Sequence, residues 1–238
     1  MRKLPDAAQS VYAAFVDKIV DNPVGAMAEA GDRPEDQLRA DIVAGRLLPN
    51  ERLVEADLTQ RLGVGRGAVR TALARLEHEG LVELEPHRGA RVRRVALAEA
   101  IEILQARAVL EGLAVRRAAR HATEEDVAEL REILAEMRRL LDMGDLVAAS
   151  DTNAVLHKRL RDIGAHETAN RLIAGLRSQV VRFEYRTILV PGRSEHSFAE
   201  HTAIVDAIAA GDSRAAEEAM RTHLSHVGDA LRLAQERE

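Results

Sequence analysis

One run of hydrophobic periods and chain breaks, from Pro34 to Val95, narrows the fold more than any other feature of this sequence. Leu38, Ile42 and Leu47 space a first amphipathic helix, ended by Gly45 and the turn Leu48-Pro49-Asn50. A second short helix is expected over about 55–62, with Leu58 and Leu62 on one face and Gly63 as its stop. After the brief turn Gly63-Val64-Gly65, a third helix carries Val69, Leu73 and Leu76 inward and ends at Gly80. Leu81 to Glu85 alternates like a strand, Pro86-His87-Arg88-Gly89 reverses the chain, and Ala90 to Val95 returns as a second strand. Helix, helix, short turn, helix, hairpin is the order of a winged helix-turn-helix, and it is assigned to residues 32–95.

Strand periodicity is absent after Val95. Helical periods run over 101–121, 124–143, 146–163, 167–189, 197–210 and from 212 to the C-terminus, joined by short loops. Thr123 before Glu124 to Asp126, and Asp212 before Glu217 and Glu218, place caps and acidic residues at helix starts. The expected fold is therefore mostly α: an N-terminal winged helix-turn-helix, then an all-α antiparallel bundle over 96–238. Residues 1–31 form an N-terminal extension. There Val11, Phe15 and Ile19, and likewise Tyr12, Val16 and Val20, space a short amphipathic helix that Pro23 and Gly25 break, with no function assigned.

Composition excludes several classes. Among 238 residues there is no cysteine, so disulfides and thiolate metal sites are ruled out. Neither a membrane-length apolar run nor a basic stretch leading into an apolar signal core is present, so a soluble, cytoplasmic protein is expected. The net charge of −5 hides an asymmetry: residues 61–95 hold eight Arg against four Glu. A positive face on an acidic protein suits DNA, because phosphate attraction acts over about 8–10 Å of Debye length. A general bias towards Arg accounts for the charge equally well.

Specific residues sharpen this. Arg66 and Arg70 are four apart near the start of the third helix, facing away from Val69, Leu73 and Leu76. That end of the second helix of the motif enters the major groove, where a guanidinium fork spans guanine O6 and N7, worth roughly 1–3 kcal/mol of discrimination. The alternative, a solvated Arg face, is disfavoured by the turn before it and the hairpin after it. Gly67 lies between the two arginines. At the hairpin tip, His87, Arg88 and Gly89 combine cations with a residue that permits close approach. An ordinary exposed turn would look the same.

The stretch from Leu38 to Val92, including Leu48-Pro49, Leu62-Gly63-Val64, Arg66, Val69-Arg70, Glu79-Gly80-Leu81-Val82 and Arg88-Gly89, resembles the DNA-binding domain of the GntR superfamily over about sixty residues. The resemblance implies that Arg66, Arg70 and Gly89 act on DNA. Gly65 stands where Ser is usual, Gly67-Ala68 where Thr-Pro is typical, and Ala56 where some relatives carry Arg. Those departures bear on which operator is read, not on the fold.

In the bundle, Asn153 and His157 share a helix face, His201 sits with Ile204, Val205 and Ile208, and His223 lies between Met220 and Val227. Imidazoles facing a bundle interior can hold a divalent ion, or be ordinary hydrogen-bonded core histidines. Asn153 to His157, Ser197 to Ile204 and the run from Ala207 to Leu224 are similar to the FCD domain of the FadR subfamily of GntR regulators, as is Arg107-Ala108-Val109-Leu110-Glu111. That resemblance implies a metal held by Asn153, His157, His201 and His223, with zinc favoured over nickel or manganese. It also implies a homodimer.

Many members carry Asp where this chain has Asn153, so the ion's charge is expected to go uncompensated and to favour a small carboxylate effector gripped by Arg107. Arg107 could instead pair with Glu111. The function expected is a dimeric transcriptional regulator, a repressor, on a palindromic operator and responsive to a small organic acid; it is not an enzyme. Two alternatives are a metal-dependent hydrolase, for which no His-Glu-x-x-His is present, and an architectural DNA-binding dimer without effector.

Overall fold

A computed structural model describes residues 33–85, 88–188 and 190–236, except for some side chains late in the 167–188 helix. The amphipathic period expected before Pro23 lies outside the described residues. The chain divides between Ala96 and Leu97 into two compact units.

The first unit contains α1 (Pro34–Val43), β1 (Arg52–Leu53), α2 (Glu55–Leu62), α3 (Arg66–His78), β2 (Val82–Glu85) and β3 (Gly89–Val92). Its core is the apolar set read from the spacing: Leu38, Ile42, Leu58, Val69, Leu73, Leu76, Val82, Ala90 and Val92 are all buried. Leu47 is buried too, but through the turn after α1, which ends at Val43. Burying a Leu or Val contributes roughly 1.5–3 kcal/mol, so this compact set suffices to fix the helix directions. Ion pairs add orientation: Glu35 and Asp41 of α1 are buried, Glu35 taking Arg75 of α3 and Asp41 taking Arg46 and Arg61.

The wing is three-stranded where two strands were expected. β3 lies between β1 and β2, pairing antiparallel with both, Leu53 opposite Ala90 and Val82 opposite Val92. A two-residue strand gives too short a period to be read from sequence. Gly89 has φ +89°, and a Cβ placed there would lie 2.4 Å from the Leu53 carbonyl oxygen, so the β1–β3 pairing itself demands glycine.

The second unit is all helical among the described residues: α4 (Leu97–His121), α5 (Glu124–Asp142), α6 (Leu146–Gly164), α7 (Glu167–Ile188), α8 (Arg193–Ala209) and α9 (Ser213–Glu236). α4 packs along α9, α6 and α7, and α5 along α6 and α8. Gly164 lets α6 approach α4, since a Cβ there would meet the Ala114 carbonyl oxygen at 2.4 Å. Thr123 caps α5 in a reciprocal box with Asp126, which is worth about 1 kcal/mol. α8 starts at Arg193, four residues before the expected Ser197. Gly192, at φ +77°, turns the chain into that extra helical turn and brings Arg193 onto the face of Glu200.

No described helix is long and apolar enough to cross a membrane.

Candidate DNA-reading surface and histidine centre

At the start of α3 the sequence has done nothing to neutralise the helix. Gly65 is the N-cap and offers no side-chain acceptor, and the first turn holds no acidic residue. The unpaired N–H groups and the positive end of the dipole are thus left open to an outside anion. Arg66, the first helical residue, adds a further positive charge, and Arg66, Gly67 and Arg70 are all exposed. A Cβ on Gly67 would meet nothing within 4 Å, so no internal packing explains glycine in this first turn of the helix. Arg70 is steadied by Glu55 at the start of α2, its Nε donating to the two carboxylate oxygens at 2.9 and 3.1 Å. Arg88 is exposed at the wing, and its carbonyl accepts from Arg52. Arg52, which sequence reading passed over, reaches the wing tip because β1 pairs with β3. His87 lies outside the described residues.

The second site is interior. Along α4 the apolar stripe Ala100, Ile103, Leu104, Ala114, Val115, Ala118 is interrupted by Arg107 and Glu111, both buried. Arg107 donates to Glu111 Oε1 from Nε at 2.9 Å, with an Nη2 at 2.8 Å. The ion pair that sequence reading held as the alternative for Arg107 is therefore formed. Its other oxygen faces His157 of α6, at 2.9 Å from Nδ1. Burial pushes the Glu111 carboxyl upward, but the Arg107 charge and the His157 hydrogen bond outweigh it and hold the group well below the usual carboxylate range. An ionised carboxylate only accepts, so His157 donates from Nδ1 and turns Nε2 inward.

His157 Nε2 lies 3.2 Å from His201 Nε2 of α8. His223 of α9 completes the group, its ring centroid 4.4 Å from that of His201 and 5.3 Å from that of His157. Each imidazole offers one nitrogen within 4.8 Å of the others, and all three rings are buried. His223 Nδ1 is held at 2.7 Å by Glu200 Oε2, which also accepts from Arg193 Nη2 at 2.9 Å, while Oε1 takes His226 at 2.7 Å. Burial raises the Glu200 carboxyl, yet its hydrogen bonds from His223 and Arg193 hold it down to about 2. Burial and the neighbouring imidazoles push His201 well below its ordinary value; burial, partly offset by Glu200, pushes His223 down to about 4. Both rings are neutral at pH 7, the state in which imidazole ligates.

The donor set fits a divalent cation. Three buried rings converge, outer carboxylates hold two of them, and His201 Nδ1 and Asn153 Oδ1 are buried without a hydrogen-bond partner. Asn153 lies four residues before His157 on α6, on the same face. One expectation is corrected: the surroundings of the histidines are not devoid of negative charge, since Glu111 and Glu200 stand directly behind two of the rings. Glu111 had shown itself in the sequence as an acid at a stripe position four residues after Arg107; nothing local tied it to His157.

The comparisons with known proteins follow the same division. The model of the bacterial regulatory proteins of the gntR family matches residues 32–92, and that of the FCD domain matches residues 102–226. The chain is similar to the HTH-type transcriptional repressor RspR of Escherichia coli (strain K12), 28% identical over 82% of this chain and 86% of the relative. It is 32% identical to the HTH-type transcriptional repressor NanR of Salmonella newport (strain SL254), over 77% of this chain and 76% of the relative. Among solved structures it resembles E. coli McbR/YncC with a TM-score of 0.70, at 21% identity over 89% of this chain and 100% of that one, a likeness of fold.

Proposed function

This chain belongs to the GntR family of bacterial regulatory proteins and carries an FCD domain, so it is a DNA-binding transcriptional regulator and not an enzyme; from that premise we propose that it is a repressor whose hold on its operator is set by a small carboxylate bound at the histidine centre. Residues 32–95 form the DNA-binding domain and residues 96–238 the effector-binding and dimerisation domain. Two copies of the chain meet a palindromic operator, one α3 per half-site. Arg66 and Arg70 contact base edges or phosphates in the major groove, Gly67 lets the helix lie close, and Arg88 with Gly89 carries the wing to the flanking backbone.

In the helical domain His157, His201 and His223, with Asn153 Oδ1 as fourth donor, hold a divalent cation, zinc for preference on imidazole donors. When bound, that cation supplies a Lewis-acidic point for an anionic oxygen. Glu111 and Glu200 keep His157 and His223 in the ligating tautomer, and Arg107 holds Glu111 in place. The supporting observation is that three buried imidazoles from three helices converge and that buried or half-buried carboxylates orient two of them, an expensive arrangement for a core that only needs to pack.

The test is metal content by mass spectrometry, followed by operator titration by fluorescence anisotropy across a panel of organic acids, with and without chelator. Chelation is expected to lower the melting temperature, since an ion at about a hundred times its Kd adds about 2.7 kcal/mol. One or more acids should weaken operator binding only in the metal-loaded protein. Operator affinity indifferent to every acid and to chelator would leave a regulator without this effector site.

A further inference from the structure

Arg161 follows His157 by one turn of α6, so the two share a face, and its side chain is buried at 8% exposure. Its Nη1 is buried with no hydrogen-bond partner, and among the described residues no carboxylate pairs with its guanidinium. The acids whose fields reach it are already committed: Glu111 to Arg107 and His157, and Asp162 to Lys158 at the surface. Arg107 and Arg177, both buried, push against it with like charge. Arg193, beside Glu200, also leaves Nη1 buried without an acceptor, but its Nη2 is satisfied by Glu200. Arg161 has no such partner. A buried guanidinium in this condition is destabilising unless an anion joins it, and its planar fork is matched to a carboxylate or phosphate.

We propose that Arg161 is the anchor for a second anionic group of the effector, so that the ligand is a small dianion, one group bound at the histidine centre and the other at Arg161. This rests on the carboxylate-effector reading above and adds its charge and shape. His157 and Arg161 are one helical turn apart on the same face of α6, a backbone rise of about 5.4 Å, which is the scale of a dianion whose groups are a few carbons apart.

The experiment compares metal-loaded full-length wild type, Arg161→Gln and Arg161→Lys, by calorimetry and thermal shift, against succinate, glutarate and phosphate, with butyrate as the matched monoanion. Wild type should bind at least one dianion about tenfold more tightly than butyrate, as charge-assisted bidentate pairing allows. Arg161→Gln should bring that ratio to within about threefold while leaving butyrate affinity nearly unchanged, and Arg161→Lys should restore part of it. Dependence on Arg161 for phosphate or for a dicarboxylate tells which oxyanion it takes. Without ligand, Arg161→Gln should melt higher than wild type, the opposite of losing a structural ion pair. A dianion preference that survives Arg161→Gln, or a wild type that favours butyrate, overturns this inference alone. If no anion binds any variant while mass spectrometry shows the metal present, the carboxylate-effector reading falls with it.

Discussion

Arginine is used in opposite ways in the two units. On the winged helix, Arg66 and Arg70 are exposed at the uncapped end of α3, Arg70 with Glu55 beside it, and water solvates their charge at little cost. In the helical unit, Arg107, Arg161, Arg177 and Arg193 are all nine-tenths buried. There each guanidinium must be matched by a carboxylate or by a ligand, because hydration has been taken away. The contrast teaches that the same side chain reads as a long-range attractor outside and as an exacting demand for a specific partner inside. A surface arginine can accept any phosphate; a buried one selects its anion by geometry.

Three substitutions would break or sharpen that contrast. The largest effect is expected from Glu111→Ala, which strips the interior of the carboxylate shared by Arg107 and His157. A loss of about 3–5 kcal/mol in chemical denaturation is expected, since a buried charge is left uncompensated. A loss under about 1 kcal/mol would mean that the interior arginines are as indifferent to partners as the exterior ones. Next, Arg66→Ala should cost about 1–3 kcal/mol of operator discrimination and lower the salt slope by about one, with folding stability unchanged within about 0.5 kcal/mol. Anisotropy across a salt series reads the first two effects and denaturation the third; unchanged operator affinity would remove α3 from the interface. The smallest effect belongs to Gly67→Ala. It should stabilise the free protein by at most about 0.5–1 kcal/mol, the cost of glycine in a helix interior, because the site is open and lies in the first turn. Operator affinity should fall at the same time, which separates a residue kept small for close approach from one that is merely tolerated.

The winged helix was legible because each of its signals is local. Val69, Leu73 and Leu76 on one face and Arg66 with Arg70 on the other follow from 3.6 residues per turn, and α3 buries and exposes them as that period requires. The two-residue β1 escaped, and with it Arg52, because a strand that short makes sense only beside β3. The histidines were singled out one by one, yet their meeting was an expectation drawn from family likeness. The interior charges show the limit best. Arg107 and Glu111 are neighbours in sequence and were paired on spacing, whereas the reach of Glu111 across to His157 joins positions 46 residues apart.

From the chain alone, therefore, came the order of elements, the apolar faces that build both cores and the outward cations of α3, since all of these depend on periodicities within single segments. Which imidazoles converge, which carboxylates orient them and which guanidinium is left without an acceptor were decided by tertiary packing. Those are relations between helices, and contact across a core depends on how separate helices lie against one another, a distance that no spacing along one segment encodes.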